Sequence, residues 1–107
     1  MEFIALSKMV RVSPRKVRVV ADAVKKYAPN VAMQKLQFLA KSAAQPILKA
    51  LQSAVANSKL DIGQLKIKNI LVDEGQKMRR QDKSHGARYN SGIIHKRMSH
   101  IKIILEG

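Results

Sequence analysis

The stretch from Leu65 to Leu105 constrains the fold more than any other part of this chain. Its two ends, Leu65–Val72 (LKIKNILV) and Ile93–Leu105 (IIHKRMSHIKIIL), are aliphatic and β-branched, the composition of strands. Between them, Gln76–Gly92 (QKMRRQDKSHGARYNSG) has Met78 as its only large aliphatic residue. A hydrophobic run, a basic polar run and a second hydrophobic run read as one long hairpin. With about 17 residues in each arm at ~3.3 Å per residue, the arms reach on the order of 55 Å. A compact chain of this size has a radius of gyration of only ~13 Å, so the far end must project. An isolated two-stranded ribbon is marginally stable in water. An arm carrying Lys77, Arg79, Arg80, Lys83, Arg88, Lys96 and Arg97 against one acid, Asp82, is therefore expected to lie within a polyanion, and RNA fits best.

One hundred and seven residues make one domain, with a globular part at about 1–75 and 97–107 and an arm at about 76–96. The net charge is +14, from 21 Lys and Arg against 7 Asp and Glu. Such a field draws a chain to nucleic acid, anionic membrane or acidic protein. The charge is segregated. Lys8, Arg11, Arg15, Lys16, Arg18, Lys25 and Lys26 form one cluster, and the seven basic residues of the arm form the other. Between them, positions 28–65 hold only Lys35, Lys41, Lys49 and Lys59. Two clusters flanking a nearly neutral middle read as a nucleic-acid footprint plus a scaffold.

The scaffold is helical. Glu2–Val12 reads as a strand, apolar in both phases near its start, which suits cover on both faces. Ser13 caps a first helix with Pro14 in its first position. Val17, Val20, Ala21 and Val24 form its apolar stripe, and Arg15, Arg18, Asp22 and Lys25 lie on the other side. Lys25 and Lys26 fall in the expected last turn, before Ala28-Pro29 ends the helix. Asn30 caps a second helix over Val31–Ala40, with Met33 and Phe38 read as core. Ser42-x-x-Gln45 fits a capping box for a third helix, which Asn57 terminates. Its face of Ala44, Ile47, Leu48, Leu51, Val55 and Ser58 reads as the main core contact. Along Leu65–Val72 the apolar phase switches sides, which either a bulge near Asn69 or burial of both faces explains. Asp73-Glu74-Gly75 is either an ion-pairing spot or a glycine bend. The expected fold is α+β: three helices packed on one face of a three-stranded antiparallel sheet, two strands extending into a long protruding β-hairpin.

Several chemistries have no foothold here. There is no cysteine, which removes disulfides, thiolate metal sites and a thiol nucleophile and suits a reducing compartment. His85, His95 and His100 lack metal-ligand spacing. Ser99 and His100, adjacent on a strand, point apart and cannot act as a catalytic pair. Gly86 and Gly92 do not form a phosphate-cradling loop. No enzyme activity, metal or cofactor is expected. No apolar run reaches the ~18–20 residues of a membrane span, and MEFIALSKMV lacks a signal-peptide layout.

Arg and Lys at this density neutralise phosphates and give steep salt dependence. Tyr89 beside Arg88 offers one stacking ring, but two Tyr, two Phe and no Trp do not make an aromatic platform. Shape and backbone recognition is expected in place of base reading.

Four segments resemble the bacterial-type family of large-subunit ribosomal protein number twenty-two. They are Val12–Asp22 (VSPRKVRVVAD), Leu51–Asn57 (LQSAVAN), Val72–Gly75 (VDEG) and Lys96–Ile101 (KRMSHI). They occur in the family's order and spacing over nearly the whole chain. The resemblance implies a structural constituent that binds large-subunit ribosomal RNA, aids its assembly and touches neighbouring large-subunit proteins. It implies a globular part near the polypeptide exit and a hairpin whose tip lines the exit tunnel beside the nascent chain. It places Ser13, Arg15, Lys16 and Arg18 of the first helix on RNA, and Lys96, Arg97, Ser99 and His100 of the returning arm. Lys77, Met78, Arg79 and Arg80 match the family's basic approach to the tip. The tip itself, Asp82, Lys83, Ser84, His85, Gly86, Ala87 and Arg88, departs from the family's Pro-Arg-Ala-x-Gly-Arg-Ala-like run. The implied location is the cytoplasmic ribosome, an organellar ribosome being the other possibility. The alternative is a free basic nucleic-acid-binding protein or RNA chaperone. A membrane-active cationic protein fits poorly, because no long amphipathic helix carries the charge.

Overall fold

The computed structural model describes residues 1–75, 78–82 and 92–107. The described elements are β1 (Glu2–Val10), α1 (Pro14–Val24), α2 (Pro29–Phe38), α3 (Ala44–Ser58), a 3-10 turn (Ile62–Gln64), β2 (Lys66–Glu74), β3 (Met78–Asp82), β4 (Gly92–Lys96) and β5 (Ser99–Glu106). β1, β5 and β2 form an antiparallel sheet in that order, with β5 central. β3 and β4 pair antiparallel as a separate ribbon, from Met78 opposite Lys96 to Asp82 opposite Gly92. The fold class is as the sequence predicts. The long axis measures 61 Å against 24 and 17 Å, and the radius of gyration is 17.0 Å, well above that of a compact chain.

β5 is central because its alternation is the cleanest. Ser99, Ile101, Ile103 and Leu105 are all fully buried, while the residues between them are partly covered. Each such aliphatic side chain contributes about 1.5–3 kcal/mol of burial free energy. Against that face pack Val17, Val20, Ala21 and Val24 of α1, Ala32 and Leu36 of α2, and Ile47, Leu51 and Ala54 of α3. On β2 the register slips by one residue between Ile67 and Asn69, leaving Lys68 as a bulge. The bulge brings Leu65, Ile67, Ile70 and Val72 to the core side, which selects it over the two-face explanation.

Several local boundaries differ from expectation. α1 stops at Val24, with Lys25 as C-cap and Lys26 beyond the helix, so neither lysine lies in its last turn. α2 is capped by Ala28 and begins at Pro29, whose fixed φ suits the first helical position; Asn30 is the second residue and its Oδ1 accepts from the Val31 N–H. α3 begins one residue later than the capping box allows. With Ser42 as cap, Pro46 would have to donate the bond that closes the first turn, and it has no N–H. With Ala43 as cap, Pro46 falls where no donor is needed. The C-cap is Lys59 at φ 57°, and Asn57 instead donates from Nδ2 to the Ile4 carbonyl at the β1 edge.

Two expectations about burial fail. Met33 packs against the core, but Phe38 is 86% exposed. It follows Leu36 by two residues, some 200° around the helix, so the stripe that buries Leu36 turns Phe38 outward. β1 is covered on one face only, with Ile4 and Leu6 exposed on the other. β1 also ends at Val10, after a bulge in which Met9 takes a left-handed φ of 57°.

Candidate nucleic-acid interface

The root of the hairpin is where the two basic clusters meet. β1 leads through Arg11 and Ser13 into α1, and the N-terminal turn of α1 faces the strand ends at Glu74 and Ser99. A cavity of about 100 Å³ there is lined by Pro14, Arg15, Arg18, Glu74, Gly75, Arg97 and Met98. A second hollow of about 390 Å³, lined by Arg11, Lys96, Arg97 and Met98, shares Arg97 and Met98 with it. Five basic side chains from three separate stretches of sequence thus converge on one concave surface. The α1 N-terminus points its dipole into the same place, and no acidic residue in its first turn offsets it.

Two contacts shape this cradle. Arg18 Nη2 donates to the Val72 carbonyl at 3.0 Å, at the β2 edge. One end of the guanidinium is anchored and its other donors make no hydrogen bond among the described residues, which lowers the ordering cost of gripping a phosphate. Gly75 N–H donates to the Met98 carbonyl at 2.7 Å, joining the outgoing and returning arms. A Cβ on Gly75 would lie 3.1 Å from both the carbonyl carbon and oxygen of Met98, so any larger residue requires this backbone to shift. Asp73 and Glu74 belong to β2, and Gly75 follows its last residue. Among the described residues the ion pairs are Lys25–Asp22 at 3.2 Å and Lys68–Glu2; neither Asp73 nor Glu74 takes part.

The other sequence-predicted site residues are distributed differently. Ser13 caps α1 by backbone position with no side-chain cap bond, leaving its hydroxyl uncommitted beside the cradle. Lys16 lies on the opposite flank of α1, near Lys41 and Ser42. Lys25 is held by Asp22, and Lys26 sits 5.5 Å from the centre of the Tyr27 ring. Lys8 and His100 lie on the sheet face away from the helices, where His100 Nδ1 accepts from the Met9 N–H at 3.1 Å. Ser99 is 0% exposed and its Oγ has no hydrogen-bond partner among the described residues. The Ser99 side chain is thus covered in the isolated chain. Arg79, Arg80 and Asp82 belong to β3. Lys77, Lys83, Ser84, His85, Gly86, Ala87, Arg88 and Tyr89 lie outside the described residues.

Sequence reasoning misses Gly75, Glu74 and Met98 as cradle residues and Val72 as the anchor of Arg18. The Gly75 signal is present as a glycine ending a strand, a frequent mark of close backbone approach.

The fold and the cradle together define an α+β protein with a cationic concave site at the base of a projecting ribbon, a surface suited to a polyanion. The chain belongs to the ribosomal protein L22p/L17e family, whose model matches residues 5–106. Over 110 residues it is 43% identical to the large ribosomal subunit protein uL22 of Mycoplasma capricolum subsp. capricolum, covering 98% of this chain and 96% of that protein. It is 40% identical over 112 residues to the same-named protein of Desulfatibacillum aliphaticivorans, covering 99% of each. That of Desulfitobacterium hafniense is 40% identical over 105 residues, covering 94% of this chain and 90% of that protein.

Proposed function

We propose that this chain is a structural constituent of the large ribosomal subunit that grips large-subunit ribosomal RNA at the root of its hairpin. The observation that carries this reading is the convergence of Arg11, Arg15, Arg18, Lys96 and Arg97 on one concave surface. Their chemistry suits phosphates, and α1 presents its positive end to the same surface. The ribbon of β3 and β4 then runs outward between RNA segments. The hairpin lines the exit tunnel beside the nascent chain, while the globular part meets neighbouring large-subunit proteins. Holding RNA segments at the hairpin root also aids assembly of the subunit.

The test is the salt dependence of binding to a large-subunit RNA fragment. Each phosphate that the protein no longer neutralises reduces the slope of log K against log salt by roughly 0.7–0.9. Arg97→Ala and Arg18→Ala are each expected to weaken binding and flatten the slope by about one such step. Unchanged slopes in both variants would contradict a phosphate role for the cradle.

A further inference from the structure

α1 has two flanks. Arg15 and Arg18 lie on the one toward the hairpin root. On the other, Ala23 and Val24 face Phe38 and Leu39 at the end of α2, and Val19, one turn earlier, faces Lys41–Ala43 of the turn that follows. Two adjoining hollows lie there, of about 560 and 330 Å³. They follow one another from Lys16 to Val24, roughly 12 Å at 1.5 Å per residue, or about two helical turns. The walls are apolar and open: Phe38 is 86% exposed, Val19 58% and Leu39 36%. Exposed apolar side chains concentrated in one concavity mark an interaction surface. The rim is basic. Lys35 borders the larger hollow, Lys16 and Lys41 border the smaller, and no lining residue is acidic. Asp22 does not line either hollow and is paired with Lys25.

We propose that this groove docks a helical segment of another protein, one whose apolar stripe is flanked by Asp or Glu. This rests on the reading of the chain as a subunit constituent and names the chemistry of one protein neighbour. Ridge-into-groove packing beside α1 suits a helix, and the lysine rim complements carboxylates on either side of its apolar stripe. RNA is the poorer occupant. Val19, Ala23 and Leu39 offer neither a stacking plane nor donors for base edges. The Tyr27 ring is already flanked by Lys26 at 5.5 Å and Lys35 at 4.7 Å. Phe38 alone remains as a free ring.

The experiment places the photo-crosslinking amino acid benzoylphenylalanine at position 38 of a tagged chain expressed in cells, where exposure of Phe38 leaves the core undisturbed. Large subunits are isolated on a gradient and irradiated, and crosslinked species are identified by mass spectrometry and by RNase treatment. The expected product is a peptide of another protein carrying carboxylates within one helical turn of apolar residues. Adding Lys35→Glu should lower the crosslink yield roughly tenfold or more, since it sets like charges together at the rim. A crosslink to RNA, a peptide lacking acidic residues, no crosslink, or a yield unchanged by Lys35→Glu would each overturn the proposal. The tagged, unsubstituted chain in the same gradient tests subunit association separately, so failure of the groove is distinguishable from failure of the ribosomal reading.

Discussion

Gly75→Ala tests how tightly the hairpin root is built. The added Cβ would lie 3.1 Å from the carbonyl carbon and oxygen of Met98 and 3.2 Å from its Cβ. The first two are backbone atoms of the link between β4 and β5 and cannot swing away as a side-chain tip can. Relief requires the strands to part, which lengthens the 2.7 Å bond from Gly75 N–H to the Met98 carbonyl. Overpacking of this kind costs about 1–3 kcal/mol. For a domain near this size that lowers the midpoint of thermal unfolding by very roughly 4–8 °C for each kcal/mol. Arg97 precedes Met98, so parting the strands also displaces Arg97 from the cradle, and RNA affinity should fall alongside stability. Gly63→Ala is the control: it has nothing within 4 Å of a built Cβ and no positive φ. That change should be neutral or stabilise by up to ~1 kcal/mol through the unfolded chain. The assay is thermal unfolding of the isolated full chain by circular dichroism, paired with binding to an RNA fragment at fixed salt. If Gly75→Ala matched the unsubstituted chain in midpoint and affinity, the close-approach argument would be wrong.

Two further predictions concern individual side chains. Ser99→Ala should leave RNA affinity within about twofold and keep or raise stability, because it removes a buried hydroxyl that has no partner among the described residues; a tenfold loss of affinity with the fold intact would identify Ser99 as an RNA contact. The hydrogen bond from Lys68 holds the Glu2 carboxyl below its ordinary range and raises the Lys68 ammonium. The contribution of Glu2 is therefore complete above the ordinary carboxylate pKa and disappears as pH falls through the lowered one. That of Lys68 is complete below the ordinary lysine pKa and disappears as pH rises through the raised one. The stability difference between the unsubstituted chain and Glu2→Gln should be small and flat near neutrality, vanish in acid and shrink with salt, because the pair is exposed. A difference that grows in acid would contradict the assignment.

How much of this can be read from residues alone varies with the physics involved. The apolar-basic-apolar order of Leu65–Leu105 defines the hairpin, and the phase switch along Leu65–Val72 locates the bulge at Lys68 to within a residue. Those signals depend on alternation, which is written locally. Ser13-Pro14 marks the start of α1 for the same reason. Helix α3 is harder: its capping-box residues are present, but a missing donor at Pro46 outweighs them. Phe38 reads as core because it is large and apolar, although its helical angle from Leu36 points it outward. Ser99 sits in a motif, and a motif does not reveal burial. The cradle is legible only as two charge clusters. Their meeting depends on how α1 packs beside the strand ends at Glu74 and Ser99, a long-range arrangement that no local pattern encodes. Arg18 looks like surface charge, and its bond to the Val72 carbonyl shows that it also caps the open edge of β2.

The central claim is that this chain belongs in the large subunit and is held there by its cradle. Density-gradient fractionation of an extract containing a tagged copy, at moderate and then high salt, tests it most directly. The account predicts retention with the large subunit at both salts, with an Arg18→Ala, Arg97→Ala double variant released at the higher one. Release of the unsubstituted chain to the top of the gradient at high salt would contradict it and identify a nonspecific basic RNA binder with the same fold.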